Sequence, residues 1–306
     1  MGATMAELEP RDLAAACDVL HAACAHDKAA LVAEEKLFGA SPRGLPRARG
    51  ARKGGILIGV AATCGDRIRV LAVHPAARGE GIGGMLLAAC EQDIWANAAR
   101  RVRVLDEPGN YLAPGVDRTN TETIRWLERK GYVCRDTHTN LVVDVRANPR
   151  VSAERAADLA ARAAERGYEV RRATAADAET LSAAVSMGFG GAWPFEIERA
   201  LAGDPPGVHV AWHDGRPAAF AAHDGNNQGL GWFGPAGTWP EHRGHGLGEA
   251  LLVACLVDIA AAHDTAEIAW IGPREFYEKA VGVVGERTFA VMTKDSPYKR
   301  ATIPPL

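Results

Sequence analysis

Residues 75–94 and residues 240–259 decide how this chain is organised. They read PAARGEGIGGMLLAACEQDI and PEHRGHGLGEALLVACLVDI, and 11 of the 20 positions are identical when the two are aligned with a shift of 165 residues. Chance would give about one or two identities. A repeat of this kind in a chain of 306 residues predicts two copies of one fold, each of about 150 residues.

The join between the copies lies near the middle of the chain. Residues 141–145 are apolar and predict a closing strand, which Asn148-Pro149 ends. Ser152 then precedes an alanine-rich stretch that predicts a helix. We therefore predict an N-terminal domain over residues 1–147, a linker helix over 148–166 and a C-terminal domain over 167–306.

Strand and helix patterns alternate in the same order in both copies, which predicts an α/β protein of the mixed α+β kind. Each copy is expected to form a mixed, largely antiparallel sheet flanked by helices. In the first copy we predict a helix over 10–25, a basic loop over 41–53, strands over 55–63 and 67–73, a helix over 83–99, a strand over 101–105, a helix over 120–130 and closing strands to 145. In the second copy we predict strands over 208–213, 216–223 and 229–238, a helix over 248–263, a strand over 267–271 and a helix over 273–280.

The composition excludes several classes of protein. With 47% hydrophobic and 24% charged residues, the chain is not expected to be disordered. A formal charge of −3 gives no electrostatic basis for binding nucleic acid or an anionic membrane. The first ten residues do not resemble a secretion signal, and the apolar run over 250–262 is too short to span a bilayer. Six scattered cysteines predict neither a metal site nor disulfides, and hence a cytoplasmic location.

A glycine-rich turn joins an apolar strand to a long helix in both copies. The turns read Arg78-Gly-Glu-Gly-Ile-Gly-Gly and Arg243-Gly-His-Gly-Leu-Gly-Glu. Glycine permits positive φ and a close approach of the backbone to a ligand. The free N–H groups at the start of a helix bind anions, so we expect a pyrophosphate at these turns.

Two families of nucleotide-binding protein are compatible with such a turn. Gly79, Gly81 and Gly84 have the dinucleotide-binding spacing, with Asp106 as the expected ribose ligand. The second copy has Glu249 at the third glycine position, and no acid follows its next strand. An NAD-dependent oxidoreductase is therefore the third hypothesis, because the pattern that both copies share is Arg-x-x-Gly-x-Gly.

At these residues the chain resembles the GNAT superfamily of acyl-CoA N-acyltransferases, as two tandem domains. Arg78-x-x-Gly81-x-Gly83 and Arg243-x-x-Gly246-x-Gly248 match the pyrophosphate loop of that family, and Leu71-Ala-Val-His-Pro75 resembles the strand before it. The resemblance implies acetyl-CoA or another acyl-CoA as cofactor, and no metal. The cofactor-binding residues that it implies are Leu71, Ala72, Val73, Arg78, Gly79, Gly81, Gly83 and Gly84 in the first copy, and Ala236, Gly237, Thr238, Arg243, Gly244, His245, Gly246 and Gly248 in the second.

The family reaction is the attack of an amine on a thioester, in which the departing thiolate benefits from a proton donor. Phe276-Tyr277-Glu278-Lys279 followed by Gly282 resembles the Phe-Tyr-x-x-x-Gly segment of the family, with one extra residue. Tyr277 is therefore the candidate catalytic acid. The first copy has Leu127 at the corresponding position, so we expect the second copy to be catalytic. The first copy is expected to bind a nucleotide without turnover or to be structural.

An amine substrate attracts carboxylates, and the candidates for its site lie in the second copy. Trp193 and Phe195 are expected to form an apolar wall in a loop between helices, with Glu196 near the amine. His223 and Asp224 are further candidates at the end of a strand. In the first copy, the polar and aromatic loop over 106–117 is equally compatible with closing over a ligand and with a plain connection.

The sequence thus predicts a cytoplasmic N-acetyltransferase that acts on a small-molecule amine. Amino sugars, aminoglycoside-like compounds, amino acids and peptide amines all remain open as acceptors. The alternative is a non-catalytic acyl-CoA-binding sensor or scaffold. We expect no nucleic-acid or membrane partner, and either a monomer in which the domains pack as a pseudo-dimer or a homodimer.

Overall fold

The computed structural model describes residues 2–298 of the chain. The first half has the predicted strands and helices in the predicted order, together with strands over 4–7 and 116–117 and a short helix over 33–37 that the sequence analysis did not predict. The strands are β1 (Thr4–Glu7), β2 (Arg47–Lys53), β3 (Ile56–Cys64), β4 (Arg67–Val73), β5 (Arg101–Val104), β6 (Val116–Asp117) and β7 (Val133–Asp144), and the helices are α1 (Leu13–Ala23), α2 (Ala33–Leu37), α3 (Ile82–Ala96) and α4 (Thr121–Arg129).

The second half repeats most of this order. Its strands are β8 (Glu169–Arg172), β9 (Val208–His213), β10 (Arg216–His223), β11 (Trp232–Thr238), β12 (Thr265–Ile268) and β13 (Gly285–Asp295). Its helices are α5 (Ala153–Ala164), α6 (Ala178–Gly188), α7 (Trp193–Leu201), α8 (Leu247–Ala260) and α9 (Arg274–Val281). None of the helices in the described part of the chain has the length and apolar character needed to cross a bilayer.

Two further segments, both predicted as loops, form a strand and the first turn of a helix. Residues 47–53, predicted as part of a loop, form strand β2, which pairs antiparallel with both β1 and β3. The basic residues of this segment concealed the strand, because Arg47 and Arg49 form ion pairs with Asp93 of α3 instead of lying in a solvated loop. Residues 193–196, also predicted as a loop, form the first turn of α7, where Pro194 is tolerated because the first N–H groups of a helix need no partner within it.

The chain forms two compact units. Unit 1 contains the residues up to Glu107, Leu112–Thr137 and the chain from Phe289 onward. Its strands lie in the order β1-β2-β3-β4-β5-β13, with β6 also paired to β13. Helices α3 and α4 cover one face, where Leu86, Ile94 and Leu127 are buried with Ile68 of β4. Helix α1 contacts β3 and β4.

Unit 2 contains Pro108–Tyr111 and His138–Thr288. Its strands lie in the order β7-β12-β11-β10-β9-β8. One core cluster of this unit includes α8 residues such as Leu252 and Leu256, with residues of α5 and α9 packed among them. A second cluster includes Leu181 of α6 and Ile197 of α7. The sheet of unit 2 is therefore flanked by helices on both faces.

These units divide the chain differently from the predicted ranges 1–147, 148–166 and 167–306. In unit 1 the strand beside β5 is β13, with Thr293 opposite Arg103, whereas in unit 2 the strand beside β12 is β7, with Leu141 opposite Ile268. Helix α5 packs within the core of unit 2 instead of acting as a linker. Met1 and residues 299–306 of the predicted ranges lie outside the described residues.

The helix that follows the glycine turn is anchored near its C-terminal end in both units. In unit 1, Asp93 of α3 accepts hydrogen bonds from both Arg47 and Arg49 of β2. In unit 2, the equivalent Asp258 of α8 is bound by Arg172 at 2.6 Å and His209 at 2.7 Å. One carboxylate at the same repeat position thus fixes each helix to the strands at the outer edge of its sheet.

His223 completes the network in unit 2. Its Nδ1 lies 3.0 Å from Asp224 and its Nε2 lies 3.3 Å from Asp258, so both ring nitrogens can donate to a carboxylate. Burial by itself disfavours the charged imidazole, but the two hydrogen bonds prevail and raise the pKa of His223 to about 9. The hydrogen bonds likewise hold the pKa of Asp258 well below its usual range, although burial opposes this.

We expect this network to make the stability of the protein fall as the pH rises above neutral. The folded-state pKa of His223, about 9, exceeds the ordinary value of 6.5, so its contribution is complete below about pH 6.5 and is lost as the pH rises through about 9. The full effect is about 3 kcal/mol.

Urea unfolding of the wild type and of His223→Gln at about pH 6.5 and about pH 9.5 would measure this effect. The stability difference between the two proteins should shrink at the higher pH. The matched control is His21→Gln, an exposed histidine on α1. A difference that stays constant over this range would contradict the prediction.

Candidate functional site

Each glycine turn has a backbone conformation that residues other than glycine rarely adopt. Gly79 and Gly81 have φ values of 82° and 84°, and Gly244 and Gly246 have 81° and 80°. Gly81 and Gly246 are the N-cap residues of α3 and α8. Apart from the adjacent residues of the chain, no atom of the described residues lies within 4 Å of the Cβ position at any of these four glycines. The turns therefore leave open space in front of the first N–H groups of each helix, where an anion is stabilised.

The arginine of each turn is tied to the strand before it. Arg78 Nε donates to the carbonyl of Val73 at 3.3 Å, and Arg243 Nε donates to the carbonyl of Thr238 at 3.2 Å. Both arginines are otherwise exposed. Their guanidinium groups are held at the turn while other N–H groups remain available to a ligand.

The two central strands of each unit pair in parallel over a short length and then separate. In unit 1 the pairing of β4 with β5 ends at Ile68 and Val104, and in unit 2 the pairing of β11 with β12 ends at Phe233 and Ile268. The rest of β4 and β11, including residues 71–73 and 236–238, lies beyond the region where these strands pair with β5 and β12. These are the strand residues that the resemblance assigned to the pantetheine arm.

The last glycine of the Arg-x-x-Gly-x-Gly pattern packs against an aromatic ring in both units. A Cβ on Gly83 would lie 3.4 Å from the Trp126 ring, and a Cβ on Gly248 would lie 3.6 Å from the Phe276 ring. Trp126 and Phe276 are therefore structurally equivalent, as are the next residues, Leu127 and Tyr277. The extra residue before Gly282 lies after this contact, so it does not disturb the correspondence.

Tyr277 lies on α9 at the edge of the core of unit 2. Its ring packs against the core cluster that includes α8 and contacts the ring of Phe276 at 5.0 Å. Its hydroxyl has no hydrogen-bond partner within residues 2–298. Burial raises the pKa of the Tyr277 phenol, so it remains protonated at neutral pH. Leu127, by contrast, is buried in the core of unit 1.

Unit 1 contains a buried ion pair that the sequence analysis did not identify. Arg69 of β4 and Glu107 are both 0% exposed, and they form two hydrogen bonds of 2.6 and 2.9 Å. Arg69 also donates to the carbonyl of Gly39, just after α2, at 2.7 Å. The internal repeat could have pointed to Arg69, because the residue 165 positions after it is Gly234. A charged strand residue in one copy thus corresponds to a glycine in the other.

Asp106 was the expected ribose ligand of a dinucleotide, but its carboxylate is already paired within unit 1. It is 0% exposed, and its carboxylate forms ion pairs with Arg103 and Arg67. A ribose hydroxyl therefore has no access to this side chain in the structure. The feature that distinguished the dinucleotide-binding hypothesis is thus a structural ion pair.

The three aromatic and acidic candidates for the substrate site lie on α7 in unit 2. The Trp193 ring stacks on Phe189, with their centroids 5.3 Å apart. The Phe195 ring lies under the guanidinium group of Arg199 at 5.8 Å. Glu196 is buried, with 6% of its surface exposed, and its backbone packs against Gly225 in the loop after Asp224. The structure thus brings α7 and the β10–β11 loop together.

His223 and Asp224 take part in the network at the end of α8 instead of facing an open site. Both nitrogens of His223 are bound by carboxylates, and its pKa of about 9 means that it is charged at neutral pH. A charged imidazole has no lone pair with which to accept a proton. His223 therefore has a structural role and does not meet the requirement for a general base.

Tyr111 was missed as a single residue, although the loop over 106–117 was singled out. It is 6% exposed, and its ring contacts Trp270 at 5.5 Å and Trp232 at 5.9 Å. Asn226 donates to its carbonyl at 2.9 Å. Burial, and next the Glu196 charge, raise the pKa of the Tyr111 phenol. Tyr111 is therefore buried among aromatic rings of unit 2, within electrostatic reach of Glu196.

Family models match both halves of the chain. One described as an acetyltransferase (GNAT) domain matches residues 47–134, and one described as the acetyltransferase (GNAT) family matches residues 177–284. The chain therefore belongs to the GNAT superfamily of acetyltransferases, with two GNAT domains in tandem. The resemblance and the fold class inferred from the sequence are confirmed. No curated protein matches the sequence.

Several solved structures are similar in fold. A GCN5-related glucosamine N-acetyltransferase region of a fungal multi-domain GH3 β-N-acetylglucosaminidase has a TM-score of 0.73 and 16% identity; the match covers 95% of this chain and 38% of the fungal chain. A tandem GNAT protein from the clavulanic acid biosynthesis pathway has a TM-score of 0.67 and 18% identity, covering 97% and 100%. A GCN5-related N-acetyltransferase from Sphaerobacter thermophilus has a TM-score of 0.64 and 18% identity, covering 96% and 95%. At these identities the likeness shows the fold alone.

No group of three or more His, Cys, Asp or Glu side chains within residues 2–298 is arranged to hold a metal ion.

We expect Glu107→Gln to destabilise the protein by about 3–5 kcal/mol, because it leaves the Arg69 guanidinium buried without its counter-charge. Urea unfolding would measure the change. Glu80→Gln is the matched control, since Glu80 pairs with Lys53 at the surface and its loss should cost less than about 1 kcal/mol. A Glu107→Gln cost no greater than that of the control would contradict the prediction.

Proposed function

We propose that unit 2 catalyses the transfer of an acetyl group from acetyl-CoA to a small-molecule amine, with Tyr277 as the general acid. Unit 1 does not turn over in this proposal. The observation that carries it is the half-buried Tyr277, whose hydroxyl has no partner within residues 2–298 and whose neighbour Phe276 packs against Gly248, at the position where unit 1 has Leu127. The six cysteines are all free, in keeping with a cytoplasmic location.

The cofactor is proposed to bind along the turn and the end of the preceding strand. In unit 2 the diphosphate would accept hydrogen bonds from backbone N–H groups of Gly244, His245, Gly246 and Gly248, with Arg243 beside it. The backbone of Ala236, Gly237 and Thr238, which lies beyond the paired part of β11, would bind the pantetheine arm. The equivalent contacts in unit 1 would involve Leu71, Ala72 and Val73, with Arg78, Gly79, Gly81, Gly83 and Gly84.

The chemistry proposed for unit 2 is direct transfer. The lone pair of the neutral amine forms a C–N bond with the thioester carbonyl carbon, and the C–S bond breaks with its electron pair on sulfur. The bound ammonium first loses one proton to a base or to water to give the neutral amine, the nitrogen loses a second proton in the same way as the amide forms, and Tyr277 gives its proton to the thiolate. Because burial raises the phenol pKa above its ordinary value, Tyr277 is present as the proton-bearing form when the thiolate leaves.

The acceptor amine is proposed to bind between α7 and the β10–β11 loop. Trp193 and Phe195 would supply apolar surface, and the buried Glu196 would attract the ammonium form of the substrate. The rings of Tyr111, Trp232 and Trp270 pack together nearby, and aromatic rings suit a cationic group. Amino sugars, aminoglycoside-like compounds, amino acids and peptide amines share this chemistry, and the proposal does not choose among them.

Two features of unit 1 support its lack of turnover. Leucine cannot donate a proton, so the leaving thiolate would have no acid at position 127. The Arg69–Glu107 pair fills the space between β4 and the end of α2, whereas Gly234 leaves the equivalent position of unit 2 without a side chain. A nucleotide can still bind at the turn of unit 1, where the backbone geometry is the same.

We expect Tyr277→Phe to lower kcat for acetyl transfer by about 10²–10⁴-fold, because the thiolate loses its proton donor. The KM for acetyl-CoA should change little, since the ring is kept. Thiol release from acetyl-CoA, measured with a library of amines, would test this. Tyr298→Phe is the matched control, because Tyr298 is 72% exposed and lies in unit 1. Full activity of Tyr277→Phe would overturn the assignment of the acid.

We expect Arg243→Glu to abolish acetyl transfer and Arg78→Glu to leave it largely intact. Each change places a carboxylate where the diphosphate is proposed to bind, but only the turn of unit 2 serves the reacting cofactor. Calorimetry with acetyl-CoA and the thiol-release assay would be run on both variants. Loss of activity in Arg78→Glu with full activity in Arg243→Glu would reverse the roles of the two units. Binding of acetyl-CoA without turnover on any amine would favour the sensor.

A further inference from the structure

Three histidines and a tyrosine form a cluster that includes His245 of the glycine turn of unit 2. The ring of Tyr168 contacts the rings of His213, His242 and His245, with centroid distances of 4.8, 5.6 and 5.4 Å. The rings of His213 and His242 are 5.4 Å apart. We call these four residues the histidine cluster. It brings together residues that are more than 70 positions apart in the sequence, and neither the anchoring network of α8 nor the proposed acid accounts for it.

The hydrogen bonds leave the cluster able to take up protons. His245 Nδ1 donates to the carbonyl of His242 at 3.2 Å, so its Nε2 is the nitrogen that can accept a second proton. Tyr168 Oη and His242 Nδ1 lie 3.2 Å apart, and either atom can donate. Each of these contacts is compatible with a neutral and with a charged ring.

The charged groups around the cluster are mostly basic or already paired. Arg166, at the end of the α5–β8 connection, donates to the carbonyl of His245 at 3.2 Å, and Arg243 lies in the turn itself. Asp214 lies 3.5 Å from His213 Nδ1. Of the remaining acids, Glu249 is bound by Arg155, and Glu241 is exposed in the segment before Arg243. Protonation of the cluster therefore adds positive charge beside the turn.

Unit 1 has the opposite arrangement at the equivalent positions. The repeat aligns His245 with Glu80 and His242 with Ala77. Glu80 forms an ion pair of 2.6 Å with Lys53, next to the β2–β3 turn. The two turns thus share a backbone but differ in charge, because one carries a carboxylate where the other carries an imidazole.

We propose that the histidine cluster is a proton-dependent phosphate-binding subsite of unit 2, which strengthens its hold on a phosphorylated nucleotide cofactor as the pH falls from about 8 to about 6. Histidine ordinarily changes charge in this range, and an imidazolium attracts phosphate oxygens. This inference rests on the proposed function, since it assumes that the cofactor diphosphate binds at the turn. Unit 1, with Glu80 in place of His245, has no such response.

Dephospho-coenzyme A is the suitable probe for a test on the full chain. A phosphate monoester such as the 3′-phosphate of CoA titrates near pH 6 and would obscure the response of the protein, whereas a diphosphate diester keeps its charge. Calorimetry at low salt should give a Kd about five- to tenfold lower at about pH 6 than at about pH 8. Binding at the lower pH should also take up protons from the buffer.

Variants separate the cluster from other titrating groups. The double variant His242→Gln/His245→Gln should bind with nearly the same Kd at both pH values. His245→Lys, whose charge is permanent in this range, should bind at about pH 8 as tightly as the wild type binds at about pH 6. His21→Gln, an exposed histidine of unit 1, should behave as the wild type. Arg243→Glu should remove the pH-dependent component of binding.

The possible results distinguish this inference from the proposed function. Clear binding with the same Kd at both pH values and no proton uptake would overturn the subsite and leave the proposed function intact. A pH dependence that survives in the double variant would also overturn it. Failure of both CoA and dephospho-coenzyme A to bind at either pH would overturn the proposed function, and the subsite with it.

Discussion

The structure of each unit depends on one strand-to-helix turn whose backbone adopts left-handed φ values at two glycines. Gly79 and Gly81 in unit 1, and Gly244 and Gly246 in unit 2, have φ values of 80–84°. Residues other than glycine disfavour these values. This conformation aims the first N–H groups of α3 and α8 at open space. The far end of each helix is held by a carboxylate, Asp93 or Asp258. Contacts at both ends of each helix therefore fix the position of the N–H groups that face the open space.

The two units keep this backbone but differ in the side chains placed around it. In unit 1 the space under β4 is taken by the Arg69–Glu107 pair, and the position after Trp126 is a buried leucine. In unit 2 the corresponding positions are Gly234 and Tyr277, and the turn is bordered by imidazoles. The duplicated fold thus carries a buried ion pair in one copy, whereas the other has no side chain at that strand position and has imidazoles beside its turn.

Much of the fold and of the candidate site was predictable, because these features depend on residues close together in the sequence. The internal repeat gave two copies of one fold, and the strands over 67–73, 208–213 and 216–223 match β4, β9 and β10 residue for residue. Periodicity and glycine chemistry act over a few residues and can be recognised without the fold. The strand over 47–53 could not be recognised in this way, because its arginines are stabilised by Asp93 from a helix more than 40 residues away.

The sequence by itself determined the duplication, the order of the elements, the glycine turns and the contrast between Tyr277 and Leu127, since each depends on residue type at a fixed spacing. Only the tertiary structure decided which closing strand completes which sheet, because β7 and β13 offer equivalent backbone edges and local pattern does not choose between them. It also decided that His223 is locked between two carboxylates and that Tyr168, His213, His242 and His245 meet at one turn. Contacts between residues distant in the chain depend on how the strands are arranged, and that arrangement is not encoded at any single position.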